Sequence, residues 1–439
     1  MILLEIITAV IGMHLLFKEA FTYGFRNYAT SVFLLCFVPL LCVYPLVSRI
    51  VVGGAYSVQP GDYLVFSDYS VYIVYQAFCL GILSMVYITG GRKTLTPSPV
   101  WKSVVDTNFA ELSVVVAVIS LGIALYVMST GFSVAELMTA SRFEWFNNSS
   151  YSSATFVISS YLMALSPVGL LLALHKKRYR WVFVLIVAEL VFFGVLSKDR
   201  KWLIYILSAG FAFIYYHQNF AIKWQKKFVL VAALIVSALV FWQVFRGVFF
   251  EYILTGKGDV SFLAKEMAIE LLTRGDFPYY YNASITAINM NLNNDYFIPL
   301  GLLSRQALFF LPADYSFGLK IEDISALFSD ALQAGDSVRR GNMPPGLFGL
   351  FVLSFGWFVG IILCTLLPLL LRWLDRYIQK ANGIGSFVVA AHGMSAVLLL
   401  LRGDDSSATY FIVFSLAVFL VIRPHTLLGG RRVEGAGVA

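Results

Sequence analysis

Apolar runs long enough to cross a bilayer as helices recur along almost the whole chain, at about 2–17, 30–48, 70–90, 111–131, 154–175, 181–197, 202–217, 228–249, 346–371, 384–401 and 407–423. Within lipid only helices and closed barrels satisfy every backbone N–H and C=O. Barrel strands would read as short alternating segments, and this sequence has none. The pattern therefore predicts an all-α, polytopic transmembrane bundle of about eleven spans. Composition agrees: 59% of residues are hydrophobic and 13% charged, against roughly 25% charged in soluble domains. The N-terminus, Met1-Ile2-Leu3-Leu4-Glu5, has neither the basic region nor the cleavage pattern of a signal peptide, and reads as a first span that stays.

The net charge of +7 is better explained by the placement of the bases than by nucleic acid. Eighteen Lys and Arg fall in one alternating set of loops (Lys18, Arg26; Arg92, Lys93, Lys102; Lys176, Lys177, Arg178, Arg180; Lys223, Lys226, Lys227; Arg372, Arg376, Lys380; Arg423, Arg431, Arg432). Six fall in the other set (Arg49, Arg142, Lys198, Arg200, Lys201 and Arg402) once the region from Arg246 through the long loop is left out, since long loops translocate regardless of charge. The excess marks the cytoplasmic side. It puts the N-terminus outside, the C-terminus inside and residues 251–344 outside. Four segments follow: spans one to eight over 1–250, an extracytoplasmic loop over 251–344, spans nine to eleven over 345–424, and a cytoplasmic tail over 425–439.

That loop is the one long polar interval, and a loop of this size inside a membrane domain is usually functional. A helix from Asp259 through Thr273, closed by Gly275, is expected from its cap residues and apolar stripe. Residues 297–311 read as interfacial or re-entrant, and 322–334 as a third helix with Ile324, Leu327, Phe328 and Ala331 on one face. Packing against the bundle is the plain account of all three.

Nucleotide-binding loops, paired metal ligands and serine or cysteine nucleophile motifs are all missing, so neither metal nor cofactor is expected. Cys36, Cys42, Cys79 and Cys364 all lie in apolar runs and read as core residues. The chemistry-bearing residues that remain are arginines where spans meet the outer face: Arg200 in Ser197-Lys198-Asp199-Arg200-Lys201, Arg402 in Leu401-Arg402-Gly403-Asp404-Asp405, Arg246 after span eight, and Arg274 at the end of the first loop helix. A guanidinium in this zone is costly and a functional candidate by default, and its fork of donors matches phosphate oxygens. Each can equally be a snorkelling anchor or a local ion pair. Arg305, Arg339 and Arg340 join the candidate set from the loop. Asp276, Asp404 and Asp405 are the acids nearest these arginines in sequence, each either a structural salt-bridge partner or a base for a sugar hydroxyl, the base role being assigned first to Asp276 and then to Asp405. Tyr279, Tyr280 and Tyr281 offer flat faces to sugar rings or anchor the interface. His392, inside span ten, is either a further substrate contact or an interhelical hydrogen bonder. Glu5 and Glu189 inside spans leave an ion-coupled transporter open, although paired discontinuous spans are not visible.

The Arg200 hairpin, the Leu272-Thr273-Arg274 segment running to Asn282, the Phe310-Leu311-Pro312 turn, the Pro344-Pro345-Gly346-Leu347 entry to a span and the apolar run closing on Arg402-Gly403 together resemble the Wzy-type polymerases of bacterial surface polysaccharide. The similarity covers most of the second half; the first 180 residues match in layout only. The resemblance implies a metal-independent, GT-C-like glycosyltransferase of the bacterial inner membrane. Its donor and acceptor would be undecaprenyl-pyrophosphate-linked oligosaccharides, with a chain-length regulator as a partner in the same membrane. An O-antigen ligase would share the fold and the arginines. A flippase for lipid-linked sugars would place its cations in mid-membrane.

Overall fold

The computed structural model describes residues 1–23, 25–55, 68–90, 109–131, 133, 153–189, 191–192, 201–217, 276–308, 319, 323–332, 344–380 and 384–404, with a few positions between 415 and 421. Among the described residues the chain is helical, with no strand. The helices are α1 (Ile2–Phe17), α2 (Tyr28–Phe37), α3 (Tyr44–Val52), α4 (Tyr69–Thr89), α5 (Phe109–Thr130), α6 (Ser153–His175), α7 (Tyr179–Glu189), α8 (Lys201–His217), α9 (Asp276–Leu292), α10 (Gly301–Ala307), α11 (Ile324–Leu332), α12 (Gly346–Thr365), α13 (Leu367–Lys380) and α14 (Ile384–Arg402). Among the described residues, five helical stretches are long and apolar enough to cross a membrane: Tyr28–Val51, Tyr69–Thr89, Leu112–Thr130, Val157–Leu174 and Gly346–Gln379. Tyr205–Tyr215 and Phe387–Arg402 are shorter apolar helices. The expected span at 228–249 and the expected loop helix at 259–273 lie outside the described residues.

The chain divides into two compact units. One holds residues 95–220, 376–396 and 409–439, and its helices α5, α7 and α8 pack on α6. Its buried polar groups pair across helices. The Ser166 hydroxyl donates to Glu189 at 2.8 Å, and Ser395 donates to Ser208 at 2.9 Å. His392 holds Ser415 at 2.9 Å through Nδ1 and the Ala164 carbonyl at 3.2 Å through Nε2. In an apolar interior such bonds fix helix register.

The other unit, residues 1–94, 221–375 and 397–408, contains the larger core. Between α2 and α3 the helix widens to a π-helical stretch, Val38–Val43, that begins beside Pro39. Proline has no N–H to donate and its ring crowds the preceding turn, so the helix accommodates it by opening. The Leu41 carbonyl in this stretch accepts from the Tyr75 hydroxyl at 2.9 Å. Around it runs a column of buried rings. Phe348 stacks on Phe78 at 4.8 Å and meets Tyr75 edge-on at 4.9 Å, while Tyr281 meets Tyr75 edge-on at 5.0 Å.

Tyr281 belongs to α9, a helix that the polarity of the 251–344 segment concealed. Its residues from Pro278 to Ile288 are buried or nearly so. Instead of covering the bundle, α9 lies within it. Tyr280 and Ser284 sit beside Gly346, and Ala283 and Ala287 beside Gly349, so α9 and the start of α12 run in the same direction in close contact. Small residues permit that approach. The polar ones are satisfied locally, Ser284 donating to the Tyr280 carbonyl and Thr286 to that of Asn282, each at 2.9 Å.

The ninth expected span is not continuous either. Gly356 has φ 74° and ψ 165°, which breaks α12 into two pieces. The break orphans carbonyls at the end of the first piece. The Ile298 and Leu300 amides supply the missing donors, to Leu353 and Ser354 at 2.8 Å each. The start of the 297–311 segment, expected to be interfacial or re-entrant, thus caps a half-helix, and the chain then forms α10. The third expected loop helix appears as α11, with Ile324 and Phe328 buried as anticipated and Ser325, Ser329 and Leu332 beside them.

Four described basic residues of this unit, two from each set, lie at opposite ends of it. Arg49 and Arg402 lie at the end where α4, α9 and α12 begin. Lys18 and Arg372 lie at the other, Lys18 5.6 Å from the Tyr87 ring and Arg372 against Glu19 at 2.9 Å. Asp375 completes that cluster, accepting from the Ala29 amide and the Thr30 hydroxyl at 2.6 Å each, so that it caps α2 from a distant helix. Removing Arg372 leaves two buried carboxylates without their cation. Arg372→Ala is therefore expected to destabilise the protein by about 3–5 kcal/mol, read as a lowered melting midpoint in detergent. An unchanged midpoint would show that the cluster contributes nothing.

Candidate functional site

The leucine run that closes α14 ends in a helix stop built by Gly403. At φ 81° this residue occupies the left-handed region. Its amide bonds the Leu400 carbonyl at 2.9 Å and the Asp404 amide bonds that of Leu399 at 3.0 Å, a Schellman closure. Arg402 is thereby held as the last residue of the helix, where the dipole favours a cation. A second left-handed glycine, Gly346 at φ 75°, opens α12 after Pro344 and Pro345. The two glycines meet backbone to backbone: a Cβ on Gly403 would lie 2.6 Å from the Gly346 nitrogen. Pro344-Pro345-Gly346 and Arg402-Gly403, distant in the sequence, are joined by the fold.

This contact brings Arg402 to the first turn of α9. Its guanidinium stands 5.9 Å from the centre of the Tyr279 ring, within cation–π range. The Tyr279 hydroxyl donates to the Pro344 carbonyl at 2.8 Å, tying α9 to the entry of α12. Burial pushes the Tyr279 phenol above its ordinary pKa and outweighs the opposite pull of Arg402, so the phenol remains neutral. Ser325, at the start of α11, reaches the Gly403 carbonyl at 3.4 Å, and its own amide is capped by Asp323 at 2.8 Å. The positive ends of α9, α11 and α12 therefore converge beside Arg402, which pairs with no carboxylate among the described residues. Helix N-termini and a guanidinium in one place favour an oxyanion.

Compared with known protein families, curated proteins and solved structures, the chain matches none.

Of the residues singled out in the sequence, Arg402, Tyr279 and Tyr280 gather here. Tyr281 points the other way, fully buried with its edge on Tyr75 and 5.9 Å from Tyr44, and has no free face for a sugar. Arg305 pairs with Asp323 at 3.4 Å. His392 lies in the other unit and is bonded on both ring nitrogens. Asp276 is the first residue of α9, which puts it at this junction by backbone; its side chain, like Asp405, Arg200, Arg246, Arg274, Arg339 and Arg340, lies outside what the structure describes. Among the described residues no group of three His, Cys, Asp or Glu is placed to hold a metal.

Two charged groups escaped sequence reasoning. Arg49 entered only the topology count and Glu5 only as a lone intramembrane acid, yet they form a salt bridge at 2.7 Å. The signal was available: a carboxylate inside an apolar run needs a cation, and Arg49 is the first one at the same end.

Proposed function

We propose that this protein is a membrane-embedded glycosyltransferase that polymerises lipid-linked oligosaccharide repeats at the outer face of the bacterial inner membrane. The observation that carries the reading is the Arg402 guanidinium, unpaired by any described carboxylate and set over Tyr279 where three helices begin. The charge bias along the chain, which assigns that end to the outside, and the resemblance of the second half to surface-polysaccharide polymerases support it further.

In this reading the growing glycan on undecaprenyl pyrophosphate is the donor and the non-reducing end of a new lipid-linked repeat is the acceptor. The acceptor hydroxyl attacks the anomeric carbon, the bond from that carbon to the pyrophosphate oxygen breaks, and the electron pair leaves with the pyrophosphate. Arg402 and the neighbouring helix ends stabilise the charge that develops there. Asp276, or Asp405 behind it, takes the hydroxyl proton. Both lipids remain in the bilayer throughout. The test is deletion of the gene in its source bacterium. Surface glycan reduced to single repeats, with ladders restored by the wild-type gene, is the expected outcome. Loss of all surface glycan would instead point to a ligase or a flippase.

A further inference from the structure

Among the described residues four carboxyl side chains are buried: Glu5, Glu19, Glu189 and Asp375. Three of them face an arginine, Glu5 at 2.7 Å from Arg49, and Glu19 and Asp375 at 2.9 and 3.9 Å from Arg372. Glu189 does not. The last residue of α7, it is 3% exposed and bonds to the Ser166 hydroxyl at 2.8 Å, with no ion pair. Ser166 stands at the middle of Val157–Leu174, one of the stretches long and apolar enough to cross a bilayer. The pair therefore lies deep in the apolar layer.

The helices around it are tightly packed. A Cβ on Gly122 of α5 would lie 2.6 Å from the Leu162 side chain, and one on Gly169 of α6 would lie 2.8 Å from Val115. The narrow recess beside the pair is lined by Ile119, Ile123, Leu162, Ser166, Ala188 and Phe192, and the Ser166 hydroxyl is its one polar side chain. Titratable groups nearby are few. Tyr126 of α5 meets Phe192 edge-on at 4.9 Å. His392 of α14 meets the Ala164 carbonyl, two residues from Ser166 and so on the far side of α6. No Lys or Arg is among them. An isolated carboxylate in such surroundings is far costlier than the neutral acid, and the group keeps its proton instead. A metal cation would require several more oxygens than Glu189 and Ser166 supply.

We propose that Glu189 is an intramembrane proton-binding site: the packed α5, α6 and α7 hold it as a neutral acid, and it gives up the proton only when α7 separates from α6. Pro167 adjoins Ser166 inside α6 and has no N–H to return to the preceding turn, so α6 is weakest in its own backbone bonds where Glu189 holds it. Proton occupancy and the packing of this unit are thereby one equilibrium. The proposal does not rest on the polymerase reading, since it concerns the other unit and its test reads no glycan.

The test is infrared difference spectroscopy of the full-length protein in phosphatidylcholine vesicles at neutral pH, wild type against Glu189→Gln. The C=O stretch of a protonated carboxyl is expected in the wild type and lost in the variant. Ser166→Ala keeps the acid and removes its hydrogen bond, so it should move that stretch to higher frequency; it carries the test if Glu189→Gln does not fold. Carboxylate bands in place of the C=O stretch would overturn the proposal. The second readout is the melting midpoint in detergent as the pH is raised from mildly acidic to mildly basic. The unfolded chain releases the proton that the folded protein keeps, so the stability of the wild type falls as pH rises. Glu189→Gln has no such proton to lose. It should match the wild type at acidic pH and outlast it at basic pH. Parallel profiles for the two would show that folding holds no proton at Glu189, and would overturn the proposal as well.

Discussion

Gly403→Ala is expected to cost the protein most of its folded yield. The new methyl carbon would lie 2.6 Å from both the nitrogen and the oxygen of Gly346 and 2.8 Å from its carbonyl carbon. All three are backbone atoms, so no rotamer change relieves the clash. Gly346 cannot retreat, because its own Cβ position is 2.9 Å from the Tyr280 carbonyl. The left-handed backbone at Gly403 adds roughly 1–2 kcal/mol for any residue with a Cβ. Together these place the substitution above about 4 kcal/mol, in the range where a single change is diagnostic. The readout is monodisperse protein recovered from membranes and its melting midpoint in detergent. Gly210→Ala is the matched control: nothing lies within 4 Å of its Cβ position, and its helix should gain slightly. If Gly403→Ala behaved like Gly210→Ala, the apposition of the two glycines, and with it the placement of Arg402, would be wrong.

Arg402→Ala carries the largest expected effect on function. It removes a cation from the convergence of helix ends without touching the core. A donor lost from a charge-stabilising site costs about 10²–10³ in rate. Arg402→Lys keeps the charge and loses the planar fork, so it should fall between wild type and alanine. Tyr279→Phe retains the ring under the guanidinium but breaks the bond to the Pro344 carbonyl. Its expected loss is smaller, on the order of tenfold or less. The series separates charge, fork and support when elongation of a lipid-linked repeat is followed in membranes. Equal activity of all three would remove Arg402 from the site.

Much of the architecture was legible because lipid leaves the backbone few options. The helices from α1 to α8 begin close to where the apolar runs do, all but α7 also end there, and α11 sits where its stripe predicted. The structure departs from the sequence reading where the chain avoids a simple crossing. The α9 sequence, with Asn282, Ser284 and Thr286 among alanines and tyrosines, has too little hydropathy to read as buried. It is buried all the same, because its hydroxyls bond back to its own carbonyls and its small residues let α12 come close. The break at Gly356 was equally hidden, since a lone glycine in an apolar run is ordinary and only the caps from Ile298 and Leu300 give it meaning. Of the candidate site, arginine as a residue type was readable from composition and position. Which arginine meets which helix end was not, because Arg402 and Tyr279 are joined through a glycine contact that no local pattern encodes. Tyr281 shows the same limit from the other side: two residues from Tyr279, it faces the core because about half a helical turn separates their directions.

The most direct test of the central claim is complementation of the deletion strain with Arg402→Ala at wild-type membrane abundance, with the surface polysaccharide resolved on a gel. The account predicts single repeats and no ladder, while Arg402→Lys returns a shortened or faint one. A full-length ladder from Arg402→Ala would contradict it.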